Sequence, residues 1–231
     1  MDTDMSSALI ASTEASLLLM RVKELEEQHS SFRDSVICAF NQLLDLKDIN
    51  TGVHSTRLAE WALRVARKLE IPEKDMYQIE VAALLHDVGK IGVPDAILKK
   101  SAPLTPEERT IINRHPEYSW SILRLFPGLE EASLYTLHHH ESVDGSGYPA
   151  GLKSLDIPLP SRIVSVIDAY DAMVSNRCYR KGLPHEEAVR RLLKSSGTQF
   201  DGRVVDAFIP IAEQESTQVF AAAGTSMSAA L

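Results

Sequence analysis

Apolar residues recur at intervals of three and four along most of this 231-residue chain. Leu58, Trp61, Val65 and Leu69 form one such stripe, which has the spacing of a single face of an amphipathic helix. No run alternates between apolar and polar residues for long enough to require a β-strand. The pattern therefore predicts an all-α fold, and a chain of this length can bury a core of its own.

Helix start signals divide the chain further. Pro72 and Glu73 open a helix that is predicted to end near His86, and residues 105–108 combine a capping box with a proline at the first helical position. The longest break lies between His140 and Pro160 and is rich in glycine and proline. Loops of this length in compact domains are often functional. Further helices are predicted at residues 117–125, 129–138, 161–175, 184–194 and 203–212.

The two ends of the chain differ from its middle. Residues 1–47 are predicted to form an N-terminal helical extension, in which Leu18, Val22 and Leu25 recur at helical spacing. A solvated helix and a dimerising or signalling helix both fit this pattern. Residues 48–213 form the predicted main domain. Residues 214–231 are rich in Ala, Ser, Thr and Gly and are predicted to be a flexible tail.

Composition narrows the cellular setting. The formal net charge of -8 argues against a broad attraction to nucleic-acid polymer or anionic membrane. Cys38 and Cys178 form no CxxC pattern, so neither a disulfide framework nor a zinc knuckle is predicted. The first residues carry Asp2 and Asp4 rather than a basic segment, and no signal peptide or membrane span is predicted. We therefore expect a protein of the reducing cytoplasm.

Histidines and acids carry the strongest chemical signal. A single buried histidine is more often a core residue than a metal ligand. Several histidines near carboxylates, however, are typical of a site that binds zinc, iron or manganese. A carboxylate can also bridge two ions, and Asp87, directly after His86, is the natural candidate. Six of the eight histidines are dispersed over the chain as His54, His86, His115, His138, His139 and His140.

Three further polar residues stand close to this set in sequence or in the predicted fold. Asp168 and Asp171 are spaced i,i+3 on one apolar helix, where a buried carboxylate needs a partner that a metal would provide. Lys90 lies four residues after His86 and would reach anything bound to the metals; a surface lysine is the alternative.

The segment from His139 to Pro149 is the most specific in the chain. It reads His-His-Glu-Ser-Val-Asp-Gly-Ser-Gly-Tyr-Pro and matches HHExxDGxGYP, the signature of the HD-GYP family of cyclic di-GMP phosphodiesterases. Further blocks resemble that family in order and spacing over about residues 48 to 212, including His86-Asp87-Val88-Gly89-Lys90 and Asp168-Ala169-Tyr170-Asp171. The resemblance implies an HD-type helical bundle with an inserted Gly/Pro-rich GYP loop.

The resemblance also implies a site for two divalent metal ions, iron first and manganese as the alternative. A hydroxide between the ions would attack the phosphorus of cyclic di-GMP and yield linear pGpG, GMP or both. One ion would be held by His54, His86, Asp87 and Asp168, and the other by His115, His139 and His140 with Asp87 shared.

Other residues match family positions that face the substrate. Lys90 resembles the lysine that contacts the phosphate and stabilises the leaving oxygen, and Tyr148 resembles the tyrosine that faces the phosphate. Arg177 and Arg180 match substrate-binding positions, where a guanidinium can grip phosphate or pair with a guanine edge. The alternative for both arginines is that they are solvated residues at the end of a helix.

The chain departs from the family pattern at a few positions. Asn50 stands where some members have a glutamate that holds a third metal, so two metals are expected. Ser142-Val143 replaces an Arg-Trp pair, and Gln199 replaces a histidine. A catalytically weak cyclic-dinucleotide receptor therefore remains an alternative, as does an HD phosphohydrolase acting on another nucleotide. Cyclic GMP-AMP is an alternative substrate, and the N-terminal helix could serve a homodimer or a signalling partner.

Overall fold

The fold is built from helices over the part of the chain that the computed structural model describes, which is residues 2–47, 51–175 and 181–228. Side chains are described for residues 16–28, 30–44, 46–47, 54–175 and 181–216. No β-strand occurs in these ranges, and the predicted all-α fold is confirmed. The α-helices are α1 (Asp2–Lys47), α2 (Thr51–Lys68), α3 (Met76–Leu85), α4 (Asp95–Leu98), α5 (Pro106–Ile112), α6 (His115–Leu123), α7 (Glu130–Leu137), α8 (Leu159–Val174), α9 (His185–Lys194) and α10 (Gly202–Ser228).

The chain divides into two compact units between Phe40 and Asn41. The first unit consists of α1 up to Phe40, and the second holds the end of α1 from Asn41 and the remaining helices. The domain limits at residues 47/48 and 213/214 stay predictions. Helix α10 does not end near Ala212 as expected but continues to Ser228, through a segment that contains three consecutive alanines, which favour helix. No helix of the described residues is long and apolar enough to cross a membrane.

The core of the second unit lies where α2 packs against α3, α8 and α10. The predicted stripe on α2 faces this core, with Leu58, Trp61 and Val65 buried. The Trp61 ring lies 5.6 Å from the ring centroids of both Tyr170 on α8 and Phe208 on α10, within the range of favourable aromatic pairs. This packing joins three helices that are distant in sequence.

The predicted helix starts are mostly reproduced. Thr105 and Glu108 form the capping box at α5, with the Glu108 N–H donating to Thr105 Oγ1 at 3.2 Å and the Thr105 N–H to Glu108 Oε2 at 2.8 Å. The segment after Pro72 differs, since a 3-10 turn (Glu73–Asp75) precedes α3. Two more 3-10 turns span Val88–Gly92 and Ser154–Asp156.

A close backbone approach holds the turn after α3 against α6. The Gly89 N–H donates to Ser119 Oγ at 2.9 Å, and the Ser119 hydroxyl donates to the His86 carbonyl at 2.8 Å. A Cβ atom on Gly89 would lie only 2.0 Å from the His115 carbonyl oxygen. Because Gly89 has no side chain, the residues at the end of α3 can lie beside those at the start of α6.

We predict that Gly89→Ala destabilises the protein by about 1–3 kcal/mol or more, because its Cβ would overlap backbone atoms that cannot move aside. Thermal unfolding measures the loss. Gly92→Ala is the matched control, since its Cβ would meet the Tyr118 ring at 3.0 Å and a side chain can shift. Equal unfolding temperatures for the two variants would contradict the proposed role of the close approach.

Candidate metal centre

Four predicted ligands lie where helices begin or end. His86 is the residue directly after α3, His115 is the first residue of α6, and His139 and His140 follow the end of α7 closely. Helix α7 packs against both α3 and α6, which brings these ends together. Ring centroids are 5.2 Å apart for His86 and His139, and 5.0 Å apart for His115 and His140.

Three of these rings share one orientation. The Nδ1 atoms of His86, His115 and His139 lie within 2.6–2.8 Å of the backbone carbonyl three residues earlier in each case. A carbonyl can only accept, so each Nδ1 carries a proton, and in the neutral ring each Nε2 presents a lone pair. All three Nε2 atoms are buried and have no hydrogen-bond partner among the described residues. Buried acceptors without a partner are rare, and a metal ion would complete them.

Asp87 lies between the two groups of histidines. Its Oδ2 is 3.3 Å from His86 Nε2, and its Oδ1 is 3.2 Å from His115 Nε2. Each carboxylate oxygen therefore faces a different histidine, which is the arrangement expected of a ligand shared by two ions.

The side chains that could hold metal form two groups around Asp87. Within each group the candidate ligand atoms lie within 4.8 Å of one another. Asp168 adds to the second group, since its Oδ1 is 3.6 Å from His54 Nε2 and 3.8 Å from His86 Nε2. All seven predicted ligands thus meet in one place; the groups are Asp87, His115, His139 and His140, and His54, His86 and Asp87.

The two groups differ in their electrostatics. Burial lowers the pKa of His54, but hydrogen bonds to Asp168 and Asp171 outweigh burial and raise that pKa to about 9. In the other group, burial and the nearby His115 lower the pKa of His140 to about 3, and burial also lowers the pKa of His139. The carboxylate-rich group therefore favours added positive charge, whereas His139 and His140 in the other group are neutral imidazoles available as ligands.

Asp171 corrects a sequence-based expectation. The spacing of Asp168 and Asp171 predicted a metal partner for both, but Asp171 bonds to His54 Nδ1 and to Arg57 Nη2. Ser175 Oγ also donates to Asp171 at 3.1 Å. Asp171 therefore orients the His54 ring so that Nε2 faces Asp168. Sequence spacing placed both aspartates on one face but could not reveal Arg57 as a partner from another helix.

Lys90 forms a salt bridge with Asp87 of the candidate metal centre. Its Nζ lies 2.5 Å from Asp87 Oδ2, and its side chain is 22% exposed, so the surface-lysine alternative is wrong. Burial raises the pKa of Asp87, but Lys90 and His86 outweigh burial and hold it well below the usual range. His138 is not part of the ligand groups, since its Nδ1 lies 3.6 Å from Glu141. Arg177, Arg180 and Asn50 lie outside the described residues.

The GYP loop, defined here as residues 140–158, folds back over one histidine of the centre. The Tyr148 ring stacks on His140 with centroids 4.9 Å apart, and the Tyr148 N–H donates to the His140 carbonyl at 3.2 Å. A Cβ on Gly147 would lie 2.3–2.5 Å from backbone atoms of residues 140–142. The glycine thus permits the close return that places Tyr148 at the edge of the centre.

Glu141 is a residue that sequence analysis did not single out. Its buried carboxylate accepts the Ala150 N–H at 2.7 Å and the Leu152 N–H at 3.1 Å. These bonds join the start of the GYP loop to the segment directly after Tyr148 and Pro149. The position of Glu141 in the HHExxDGxGYP signature was the only sign in the sequence that this residue matters. The spacing of the signature did not predict which groups the carboxylate would bond to.

Two positions that depart from the family pattern, Val143 and Gln199, are joined by a backbone hydrogen bond. The Val143 N–H donates to the Gln199 carbonyl at 3.2 Å, and the Asp144 N–H donates to the Thr198 carbonyl at 2.9 Å. Backbone contacts of this kind do not depend on which side chain is present. The GYP loop therefore keeps this attachment with Val143 and Gln199 in place.

Comparison with known proteins places the fold and site in a family. The family model of the HD domain matches residues 39–204, so the chain belongs to the HD domain family and, through its HHExxDGxGYP loop, to the HD-GYP branch. Among solved structures, the fold resembles Bd1817, an HDGYP protein from Bdellovibrio bacteriovorus, with a TM-score of 0.57 and 22% identity over 69% of this chain and 51% of that one.

Curated relatives carry names of cyclic-dinucleotide enzymes. A cyclic di-GMP phosphodiesterase of Thermotoga maritima is 39% identical over 88% of this chain and 56% of its own length. The cyclic di-GMP phosphodiesterase response regulator RpfG of Xanthomonas campestris is 36% identical over 83% and 50%. A 3'3'-cGAMP-specific phosphodiesterase of Vibrio cholerae is 33% identical over 74% and 37%. The chain spans about half the length of the first two relatives, and less of the third.

We predict that Glu141→Gln releases the GYP loop without emptying the metal centre. A glutamine offers one acceptor oxygen and places a donor NH2 against the second backbone N–H, so one of the two bonds is lost. Hydrogen exchange of the Ala150 and Leu152 amides should rise about tenfold or more, while metal content stays that of the unsubstituted protein.

Glu117→Gln provides the matched control, because Glu117 is an exposed glutamate on α6. It should change neither amide. Unchanged exchange in Glu141→Gln, or loss of metal together with faster exchange, would show that Glu141 does not act by holding the loop.

Proposed function

We propose that this chain is a metal-dependent phosphodiesterase that hydrolyses cyclic di-GMP. The observation that carries the proposal is that the buried Nε2 atoms of His86 and His115 each face a different oxygen of Asp87, in a family whose curated members bear this enzyme name. A protein that only binds a ligand has no need of seven buried or half-buried metal ligands beside a lysine.

The residues fit two divalent ions, and we propose iron, with manganese as the alternative. Imidazole and carboxylate ligands suit both metals. When bound, the ions would supply a water of lowered pKa and neutralise charge on the phosphoryl oxygens. The ligand sets are His54, His86, Asp87 and Asp168 for one ion, and Asp87, His115, His139 and His140 for the other.

The chain's own side chains orient the substrate around this centre. Lys90 has an ammonium group beside Asp87, where it can donate to a phosphoryl oxygen and stabilise charge on the leaving oxygen. Burial raises the pKa of Tyr148, so its phenol stays protonated and can donate to the same phosphate. Asp171 fixes the His54 ring. We assign substrate contacts to Arg177 and Arg180 as well, from their match to family positions.

Two substrates share the chemistry that this site recognises. Relatives are named for cyclic di-GMP and for 3'3'-cGAMP, and both molecules present phosphodiester bonds between purine nucleosides. We propose cyclic di-GMP as the substrate, because the relatives of higher identity carry that name. The products would be linear pGpG, GMP or both.

Purified protein loaded with iron or manganese under reducing conditions should convert cyclic di-GMP to linear products, separated by chromatography. Cyclic GMP-AMP is measured in parallel to rank the two substrates. His139→Ala, which removes a buried ligand, is the inactive control. Binding of cyclic di-GMP without turnover would favour the receptor alternative. Absence of both would point to another nucleotide substrate.

We predict that Lys90→Ala lowers turnover on the order of a hundredfold or more while metal content is retained, because an oriented charge-stabilising group is lost. Asp87→Ala is the contrasting variant and should lose both metals, since each of its oxygens faces a different group. Elemental analysis and turnover are measured on both. Full turnover in Lys90→Ala would remove Lys90 from the proposed mechanism, and two retained metals in Asp87→Ala would remove the bridging assignment.

A further inference from the structure

The N-terminal helix carries a second apolar pattern that the metal centre does not use. From Leu18 to Leu46 the spacing alternates strictly between four and three residues, which is the seven-residue repeat of a coiled coil rather than the 3.6-residue repeat of a surface helix. Eight of the nine positions are apolar, so the repeat holds over four heptads. The positions are Leu18, Val22, Leu25, His29, Phe32, Val36, Ala39, Leu43 and Leu46.

This stripe is exposed in the single chain. Leu18, Val22, Leu25 and Phe32 are each 48–67% exposed. The first compact unit contains α1 alone, so within it no other helix covers these side chains. A lone helix is marginally stable in water, and most helical stability comes from packing of an apolar face. The stripe therefore requires a partner.

The side chains next to the stripe favour a second copy of this chain. With Val22 and Val36 at a positions and Leu18 and Leu25 at d positions, the repeat has the β-branched and leucine pattern that favours two parallel strands. Arg21 then occupies a g position and Glu26 the following e position, where parallel strands pair opposite charges across the interface. Arg21 Nη1 already bonds to Glu24 in its own helix at 2.6 Å, and its guanidinium has further donors for Glu26 of the second copy.

The charges argue against a membrane as the partner. Residues 18–47 contain four basic and five acidic side chains, whereas helices that lie on anionic membranes carry a lysine- and arginine-rich polar face. We propose that residues 18–46 form a parallel, in-register, two-stranded coiled coil with a second copy of this chain.

This interface would pair two copies of the chain along α1, and in a parallel coiled coil both strands end on the same side. The inference rests on α1 and is independent of the proposed phosphodiesterase activity.

Sedimentation velocity of the full chain over a wide range of concentration tests the proposal. The chain of 25.6 kDa should sediment as a dimer. Leu18→Glu combined with Leu25→Glu places carboxylates in the coil and should raise the dimer dissociation constant about a hundredfold or more. Circular dichroism and the unfolding temperature of the second unit show whether the variant is otherwise folded.

Leu17→Glu combined with Met20→Glu is the matched control. These residues are as exposed as Leu18 but lie outside the a and d positions, and both variants add two carboxylates. The control should remain dimeric. A monomeric unsubstituted protein, or equal dissociation by both variants, would overturn the proposal. Binding of a monomeric chain to phosphatidylserine vesicles, abolished by the first variant alone, would assign the stripe to a membrane instead.

A charge-reversal series tests the strand orientation. Arg21→Glu alone should weaken the dimer several-fold by placing like charges across the interface. Combining it with Glu26→Arg should restore the original dissociation constant, since the g and e positions face each other only in the parallel arrangement. Failure of the combined variant to restore association would overturn the parallel register.

Discussion

Hydrogen bonds between histidine Nδ1 atoms and carbonyls at helix ends orient three side chains of the candidate metal centre. Ala83, Ile112 and Thr136 lie in the last turns of α3, α5 and α7, where carbonyl groups lack an intrahelical partner. The histidine three residues later supplies that partner and leaves Nε2 as the acceptor of the neutral ring. One bond therefore caps a helix and prepares a ligand. Three such bonds orient three of the seven predicted ligands.

The residues predicted as ligands could be selected from the sequence because their residue types carry the chemistry and the family signature fixes their order. All seven predicted ligands meet, and helix periodicity gave the all-α fold and the core face of α2. Contacts between distant elements were not predictable. Arg57 reaches Asp171 across more than a hundred residues, and no local pattern in α2 distinguishes it from a solvated arginine. Glu141 was overlooked for the same reason, because its partners are backbone amides with no sequence signal.

Because backbone groups make many of the contacts between distant segments, the departures from the family pattern leave the attachment of the GYP loop intact. The GYP loop is held by the Glu141 carboxylate and by backbone bonds from Val143 and Asp144 to residues 198 and 199. None of these contacts uses the side chain of Ser142, Val143 or Gln199. Having Ser142-Val143 in place of the Arg-Trp pair therefore leaves intact the support that places Tyr148 over His140.

The asymmetry between the two ligand groups has a further consequence for how metal and protons compete. Around His54 and His86, carboxylates outweigh burial and raise the histidine pKa values, so a proton or a metal ion satisfies the same excess of negative charge. Around His139 and His140, burial and neighbouring imidazoles keep the rings neutral, so no proton has to leave before an ion binds. Asp87 belongs to both groups, and a cation on either side alters the field at the other. The two positions are consequently coupled through one carboxylate, and a cation held on the neutral-imidazole side would lower the pKa values of His54 and His86 on the carboxylate-rich side.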